Sequence, residues 1–586
     1  MTYNIRKKML PAALLLSVLS APLAKANDET TLLKERYQQA LPNIQEFSEL
    51  VHRVRYFYPN AANSETQWDY FLRHSIREMV KQPEALQLSF ALQQLKTVTP
   101  LLTTNQSSLP VPRLTDSVNT WYNFGARDYR FYTRRLISGD YQTLSNEGFF
   151  PPTPVYTDRY DGIPLYWPLY LPQEQANSGS AYSQQKEQVS LEDPATCMAA
   201  LSSIWAELTH FWPYFEQVDV DWANSHPRLL GACLKDSQQR TRIMRQTFTK
   251  LQDNHLWIGQ PKQYRDVQGY SLPISLDYID DKVIVTNRTP YLTLQINIGD
   301  ELLAIEGTDA RQLVNNLRDK TFTSEHIANS AAARRLPFMY GEPKLVDLTF
   351  RTTQGRVINT TTASIHRDVM GPYDRDDTYG PLLRHLDNGV VVFRAVDVTT
   401  QEQLQQARDV LQNAHAIVLD MRGYPSNLWF TRSALSLFTD RYTRTGPFVI
   451  ETQRLPHRAL PYQEDIPLTL EDTPKLIDAP VVALSDRTNI SAGEHVLQWI
   501  QGMNIPIVGE VTMGINGDIM VGSVFGGFQN GGISYKYTGL RADQLNGDKL
   551  IGVGIQPDVK VSQTQVSIAQ NDDIILRKAL EVLEQL

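Results

Sequence analysis

Ser491 opens the run TNISAGEHVLQWI, directly after the apolar PVVAL of Pro480–Leu484. A strand ending there, followed by a helix starting at the serine, presents the hydroxyl at the carboxyl edge of a sheet and on the positive end of a helix dipole, where a nucleophile gains. Ser491 with Glu494 three residues on is also a capping box, and the segment alone favours that bland role. Asp420-Met421-Arg422-Gly423 ends a second strand in a turn whose glycine N–H can face a developing oxyanion. His255, in LQDNHLWIG, falls between a helical stretch and a strand. Taken alone it reads as a surface histidine, yet a neutral imidazole is also a general base near neutral pH. Acyl transfer through a serine would use all three.

Other chemistries find no foothold. The chain carries no HExxH, no Cys/His cluster at metal spacing, no GxSxG and no GxxxxGK, so neither a metal nor another cofactor is expected.

The elements that must position these residues follow from periodicity. From about residue 385 strands and helices alternate: Gly389–Val396 reads as a strand, Thr399–Asn413 as a helix, Ala416–Asp420 as a strand, and Leu428–Phe438 as a helix. Strands are expected around Phe448–Glu451, Pro480–Leu484 and Ile505–Glu510, and a charged helix over Asp573–Leu586. Upstream, SLPISLDYI, KVIVTN and INIGDELLAIEG alternate as strands, with a short helix at ARQLVNNLRD. That stretch resembles a PDZ domain, whose sheet edge can accept a peptide as an added strand.

The amino-terminal half contains a repeat. LVHRVRYFYP (Leu50–Pro59) and IWAELTHFWP (Ile204–Pro213) are each followed, nine residues after the Pro, by a Trp, at Trp68 and Trp222. Phe57, Phe211, Trp68 and Trp222 read as core packing. If the copies align, Thr99 stands where His255 stands, so only the second copy carries the DNH. Between them, about 106–190, Tyr, Pro and Gly suit short strands and turns, and Glu174–Gln188 reads as a polar linker or exposed loop.

A chain of 586 residues suggests about three to five domains. At 42% hydrophobic and 20% charged it is neither disordered nor a polytopic membrane protein. A net charge of −8 with no basic run beyond the N-terminus disfavours nucleic acid as a partner. Arg6, Lys7 and Lys8 precede an apolar stretch, Met9–Leu23, and Ala24-Lys25-Ala26 is a signal-peptidase pattern. Cleavage is expected after Ala26, giving a periplasmic or secreted protein without a membrane span. Cys197 and Cys233 can form one disulfide there or remain buried thiols.

The order of L-x-D-x-H (Leu251–His255), the PDZ-like stretch, L-D-x-R-G (Leu419–Gly423), S-A-G-E (Ser491–Glu494), G-E-x-T-x-G (Gly509–Gly514) and G-x-G-I-x-P-D (Gly552–Asp558) resembles the tail-specific (C-terminal processing) and tricorn-type serine peptidases, over about residues 195–586. The resemblance implies a multidomain α/β fold: a crotonase-like catalytic core beside a PDZ-like β domain, with helical and β-rich N-terminal extensions. It implies Ser491 as nucleophile, His255 as general base, and the N–H groups of Gly423 and Ala492 as oxyanion donors, acting on a peptide or protein substrate. One branch of the family activates its serine with a Lys in a T-F-G-K-G-like segment. Here that segment reads TMGINGD, with Ile515 at the Lys position, so the histidine branch is implied.

Where that branch carries a Ser before the His and a Glu before G-x-G-x-x-P-D, this chain has Asn254 and Ile551. Asn254, Asp253 and Glu494 are the candidates left to orient His255. The expected division is 1–26 signal peptide, 27–105 helical domain, 106–190 β-rich region and linker, 191–260 helical segment ending in DNH, 261–370 PDZ-like domain, and 371–586 catalytic core. Two other functions fit the same sequence: an inactive peptide- or glycan-binding scaffold, and an esterase-like acyl hydrolase.

Overall fold

A computed structural model describes residues 31–125, 133–177, 179–259, 269–289, 295–339, 343–366, 379–458, 462–514 and 517–586. The expected signal peptide and Ile515 lie outside these residues. The architecture is multidomain α/β.

The helices Leu41–Phe57, Trp68–Met79 and Glu84–Val98 pack against Pro194–Phe211, Ser225–Ala232 and Ser237–Phe248 in one apolar core. Phe57, Phe211, Trp68 and Trp222 are all buried in it, which is the core role their spacing suggested. Asp193 caps Pro194–Phe211 by accepting from Thr196 N at 2.9 Å, with Pro at the first helical position. Cys197 and Cys233 are joined as a disulfide across 36 residues of this layer. The stretch 179–188 is tied down: Tyr182 O accepts from Gln67 N, and Glu187 pairs with Arg73.

A hairpin from far downstream completes that core. Ile519–Val524 and Ile533–Thr538 pair antiparallel, and Trp257–Gly259 adds to Ile533–Thr538 as a third strand. Met520, Val524, Tyr535 and Tyr537 enter the helical core, and Tyr535 and Tyr537 donate to half-buried Glu207 on Pro194–Phe211. The loop holding His255 is therefore roofed by a strand nearly three hundred residues away.

A smaller unit carries its own core, with strands in the order Val357–Ala363, Leu345–Arg351, Glu301–Ile305, Lys282–Arg288, Ile274–Ile279, and Ala310–Arg318 as a helix. Its strand pairs are antiparallel.

The carboxyl-terminal sheet runs in the order Leu383–His385, Val390–Phe393, Ala416–Asp420, Val481–Ser485, Ile507–Gly509, Val559–Lys560. Only the first pair is antiparallel. Val390–Phe393, 416–419 and 481–484 are apolar because both faces of the sheet are covered. Val391, Phe393, Ile417, Leu419 and Ala483 face a core shared with the helices Gln401–Leu411, Leu428–Ser436 and Ala492–Gly502. Val390, Val392, Val418, Val482 and Leu484 face the opposite core, with the helix Ile574–Leu583. Among the described residues no helix is long and apolar enough to cross a membrane.

Candidate active site

The neighbouring parallel strands Ala416–Asp420 and Val481–Ser485 end side by side, so the turns that follow them meet at the carboxyl edge of the sheet. Gly423 follows the first and Ser491 the second. Asn489 joins the turns: its Nδ2 donates to Met421 O at 2.7 Å and Gly423 O at 3.0 Å, while its Oδ1 accepts from Asp486 N at 2.8 Å. A Cβ at Gly493 would lie 2.9 Å from Gly423 O, so the glycine lets the helix start press against the other turn.

The Asp420-Met421-Arg422-Gly423 turn is pinned by charge. Buried Arg422 donates to Asp420 from Nε at 2.9 Å and Nη2 at 2.7 Å, and to Asp573 from Nη1 at 3.0 Å and Nη2 at 2.8 Å. The guanidinium lowers the Asp573 carboxyl's pKa against the burial that would raise it. Asp573 also caps the last helix through Leu576 N. This leaves Gly423 at φ 90°, a left-handed conformation suited to glycine. Among the described residues neither Gly423 N–H nor Ala492 N–H has a hydrogen-bond partner.

Ser491 sits at φ 55°, ψ −117°, on the turn into Ala492–Gly502. Its side chain makes no cap bond, and Glu494 accepts instead from Gly514 N at 2.8 Å and from Thr512 Oγ1. The capping-box reading is thereby corrected, since Glu494 is spent on the Gly509–Gly514 segment. Both contacts fall on Glu494 Oε1.

His255 is buried rather than on the surface, because the strand Ile533–Thr538 covers its loop. Burial pushes its pKa down, Asp253 opposes that, and Lys536 adds to it. Its Nδ1 lies 2.9 Å from Thr538 Oγ1. Asp253, also buried, accepts from His255 N at 2.8 Å, Thr538 Oγ1 at 2.8 Å, Thr538 N at 2.9 Å and Trp212 Nε1 at 3.1 Å. Asn254 Nδ2 donates to Met513 O at 3.4 Å. Ile551 lies in the helical core.

Two links bring His255 toward Ser491. Met513, which Asn254 contacts, donates its N–H to Asn489 O at 2.9 Å, two residues before the serine. His495, one turn beyond Ser491, has its pKa driven down to about 3 by burial and by the charge of His255. No hydrogen bond joins Ser491 Oγ to His255 among the described residues. Sequence reasoning missed Thr538 and Trp212; the one local sign was a polar residue ending the alternating strand ISYKYT. Among the described residues no group of three or more His, Cys, Asp or Glu is placed to hold a metal ion.

A serine on a strained strand-to-helix turn, at the carboxyl edge of a parallel sheet and beside unpartnered N–H groups, belongs to the class of serine-type hydrolases. Residues 387–561 match the model described as Peptidase family S41, so that stretch carries a serine-type peptidase domain of this family. Among solved structures it is similar to mature CPAF complexed with lactacystin, at 13% identity and a TM-score of 0.53, covering 66% of this chain and 97% of that one. It is similar to mature CPAF at 14% identity and a TM-score of 0.51, covering 66% and 95%. It is also similar to the photosystem II D1 C-terminal processing protease at 15% identity and a TM-score of 0.33, covering 62% and 92%. At these identities the likeness to CPAF is one of fold. No curated protein matches the chain.

Proposed function

We propose that the chain is a periplasmic or secreted serine endopeptidase that cleaves peptide bonds through an acyl-enzyme on Ser491. The observation that carries this reading is the strained φ of Ser491, held without any cap bond between the turns of two adjacent parallel strands. Strain of this kind is retained where the surroundings over-determine it, and it clusters at reacting groups. The crotonase-like core spans 371–586, and 261–370 is a PDZ-like domain beside it. Residues 27–105, 106–190 and 191–260 form the helical, β-rich and DNH-bearing parts, and 1–26 is the export signal.

In this mechanism His255 Nε2 takes the Ser491 hydroxyl proton as the oxygen attacks the carbonyl carbon. The tetrahedral oxyanion is stabilised by the N–H groups of Gly423 and Ala492, on turns already fixed by Asn489 and Arg422. The imidazolium gives its proton to the leaving amine, and the acyl-enzyme forms. Water then attacks with His255 again as base, and Ser491 is released. A depressed histidine pKa keeps the ring neutral, as a base must be.

A second reading has two observations in its favour: among the described residues Ser491 and His255 share no hydrogen bond, and Ile551 stands where the family resemblance implies an acid. On that reading the fold serves as a peptide- or glycan-binding scaffold. Intact-mass analysis after exposure to a fluorophosphonate separates the two. A single adduct on wild type, lost in Ser491→Ala and His255→Ala, is expected for the peptidase. Absence of any adduct on wild type leaves the scaffold.

A further inference from the structure

Resting on the assignment of His255 as base, we propose that Thr538 is its positioning residue and that Asp253, held by Trp212, fixes Thr538. This chain would then supply from the histidine's own loop and a distant strand what the missing acid at Ile551 does not.

Hydrogen-bond capacity decides where the protons sit. An ionised carboxylate accepts only, with about four lone-pair sites. Asp253 has four donors on it: two backbone N–H groups, the Trp212 indole and the Thr538 hydroxyl. A threonine hydroxyl has one proton, and its bond to a buried carboxylate at 2.8 Å is the charge-assisted, stronger choice. With that proton committed, Thr538 Oγ1 can only accept from its other neighbour, His255 Nδ1 at 2.9 Å. The ring is thereby held as the Nδ1–H tautomer, and Nε2 keeps the lone pair that a general base needs. When the ring becomes charged, Nδ1–H still has its acceptor, and Asp253 lies behind it.

The strands make this possible. Lys536 stands opposite Trp257 in the antiparallel pair, so two residues further on Thr538 comes opposite His255. Thr538 and Asp253 are both fully enclosed. Trp212 ends the second repeat copy in FWP, where the first copy has Tyr58. There Tyr58 Oη accepts from Leu101 N at 3.0 Å, a backbone contact with no carboxylate involved. Both copies put a helix before this Pro and helices after it, and among the described residues only the second aims an aromatic N–H at an acid.

The test measures the rate of fluorophosphonate labelling of Ser491 against pH for wild type, Thr538→Val, Thr538→Ser and Trp212→Phe. Fold is checked by thermal melting, and the His255 tautomer by ¹⁵N shifts of the folded wild type. Thr538→Val is expected to slow labelling about 10- to 100-fold, the effect of losing an outer group that fixes a histidine's orientation. Its acid limb should move to lower pH, because the imidazolium loses its acceptor while Lys536 and His495 remain nearby. Thr538→Ser should recover most of the rate, and Trp212→Phe should show a smaller loss in the same direction. The proposal is overturned if folded Thr538→Val labels like wild type, if Thr538→Ser is no better than Thr538→Val, or if wild-type His255 carries its proton on Nε2. Failure of wild type to label at all sinks the base assignment first, and the positioning role with it.

Discussion

Asn489 Nδ2 donates to the carbonyl of Gly423 at 3.0 Å, and this bond fixes the spacing between the turn that ends in Gly423 and the turn that carries Ser491. Asn489 is wholly buried, so its bonds have no competition from water. The Gly423 N–H has no hydrogen-bond partner among the described residues.

Removing that clamp should loosen the proposed oxyanion donor without touching the serine. Asn489→Ala leaves the buried carbonyl of Met421 and the half-buried carbonyl of Gly423 unsatisfied, at a cost of about 2–3 kcal/mol in unfolding free energy. The labelling rate of Ser491 is expected to fall by about 10-fold or more in protein that is still folded. Denaturant unfolding and labelling on the same sample check both parts, and a stable variant that labels normally would show the clamp to be dispensable.

The Ser491 backbone gives a prediction that separates nucleophile from cap. A serine cap replaced by Ala or Gly loses about 1 kcal/mol of stability for Ala and a few tenths for Gly. A serine held at φ 55° without a cap bond is strained instead, and glycine relieves that strain at little steric cost. Ser491→Gly is therefore expected to melt above wild type, and Ser491→Ala not to fall below it. A melting temperature lowered by both substitutions would restore the capping reading.

Much of the catalytic sheet was legible because its signals are local. Ala416–Asp420 is read at both ends as it occurs, and the expected Thr399–Asn413 helix differs only in its ends, since Thr400 caps Gln401–Leu411 in a capping box with Gln403. The positions of Ser491 and Gly423 follow from those strand ends. What could not be read is set by long-range contact. His255 looks exposed in its own sequence, and it is buried because Ile533–Thr538 lies over it. Glu494 has the spacing of a capping box, but Thr512 and Gly514, about twenty residues on, claim its carboxylate. Trp212 is in the core, as the aromatic pattern of the repeat suggests for its neighbours, yet its indole N–H points at Asp253. No local pattern distinguishes a packing tryptophan from one with that second task.

The disulfide ties the helix Pro194–Phe211 to the end of Ser225–Ala232, beneath the layer that carries Trp212. Closing a loop of 36 residues limits the unfolded chain and is worth about 3–4 kcal/mol on the loop-entropy account. The double variant Cys197→Ser/Cys233→Ser is expected to lose about that much, and reductant should destabilise wild type but not the variant. Equal denaturant midpoints with and without reductant would show that the bond contributes nothing.

The buried histidines set the response to acid. Burial pushes the pKa of His210 down to about 3, with Arg53 and Arg458 adding to it, and pushes His495 to about 3 as well. Burial also drives His52 well down, with Arg55 adding to it, and among the described residues neither of its ring nitrogens has a hydrogen-bond partner. In the unfolded chain these rings titrate near 6.5. Below that pH the unfolded state binds protons that the folded state refuses, so stability falls as pH falls. Each such histidine contributes about 1.4 kcal/mol of loss per pH unit between about 6.5 and its folded value. Urea midpoints taken from pH 8 to pH 4 should therefore be level above about 7 and drop steeply below 6.5. His52→Phe keeps an aromatic ring beside Tyr56 and removes one titrating group, so its unfolding free energy should fall with a slope shallower by about one proton. A wild-type profile that stays level to pH 5, or a His52→Phe slope identical to wild type, would mean that these rings take up protons without unfolding the chain.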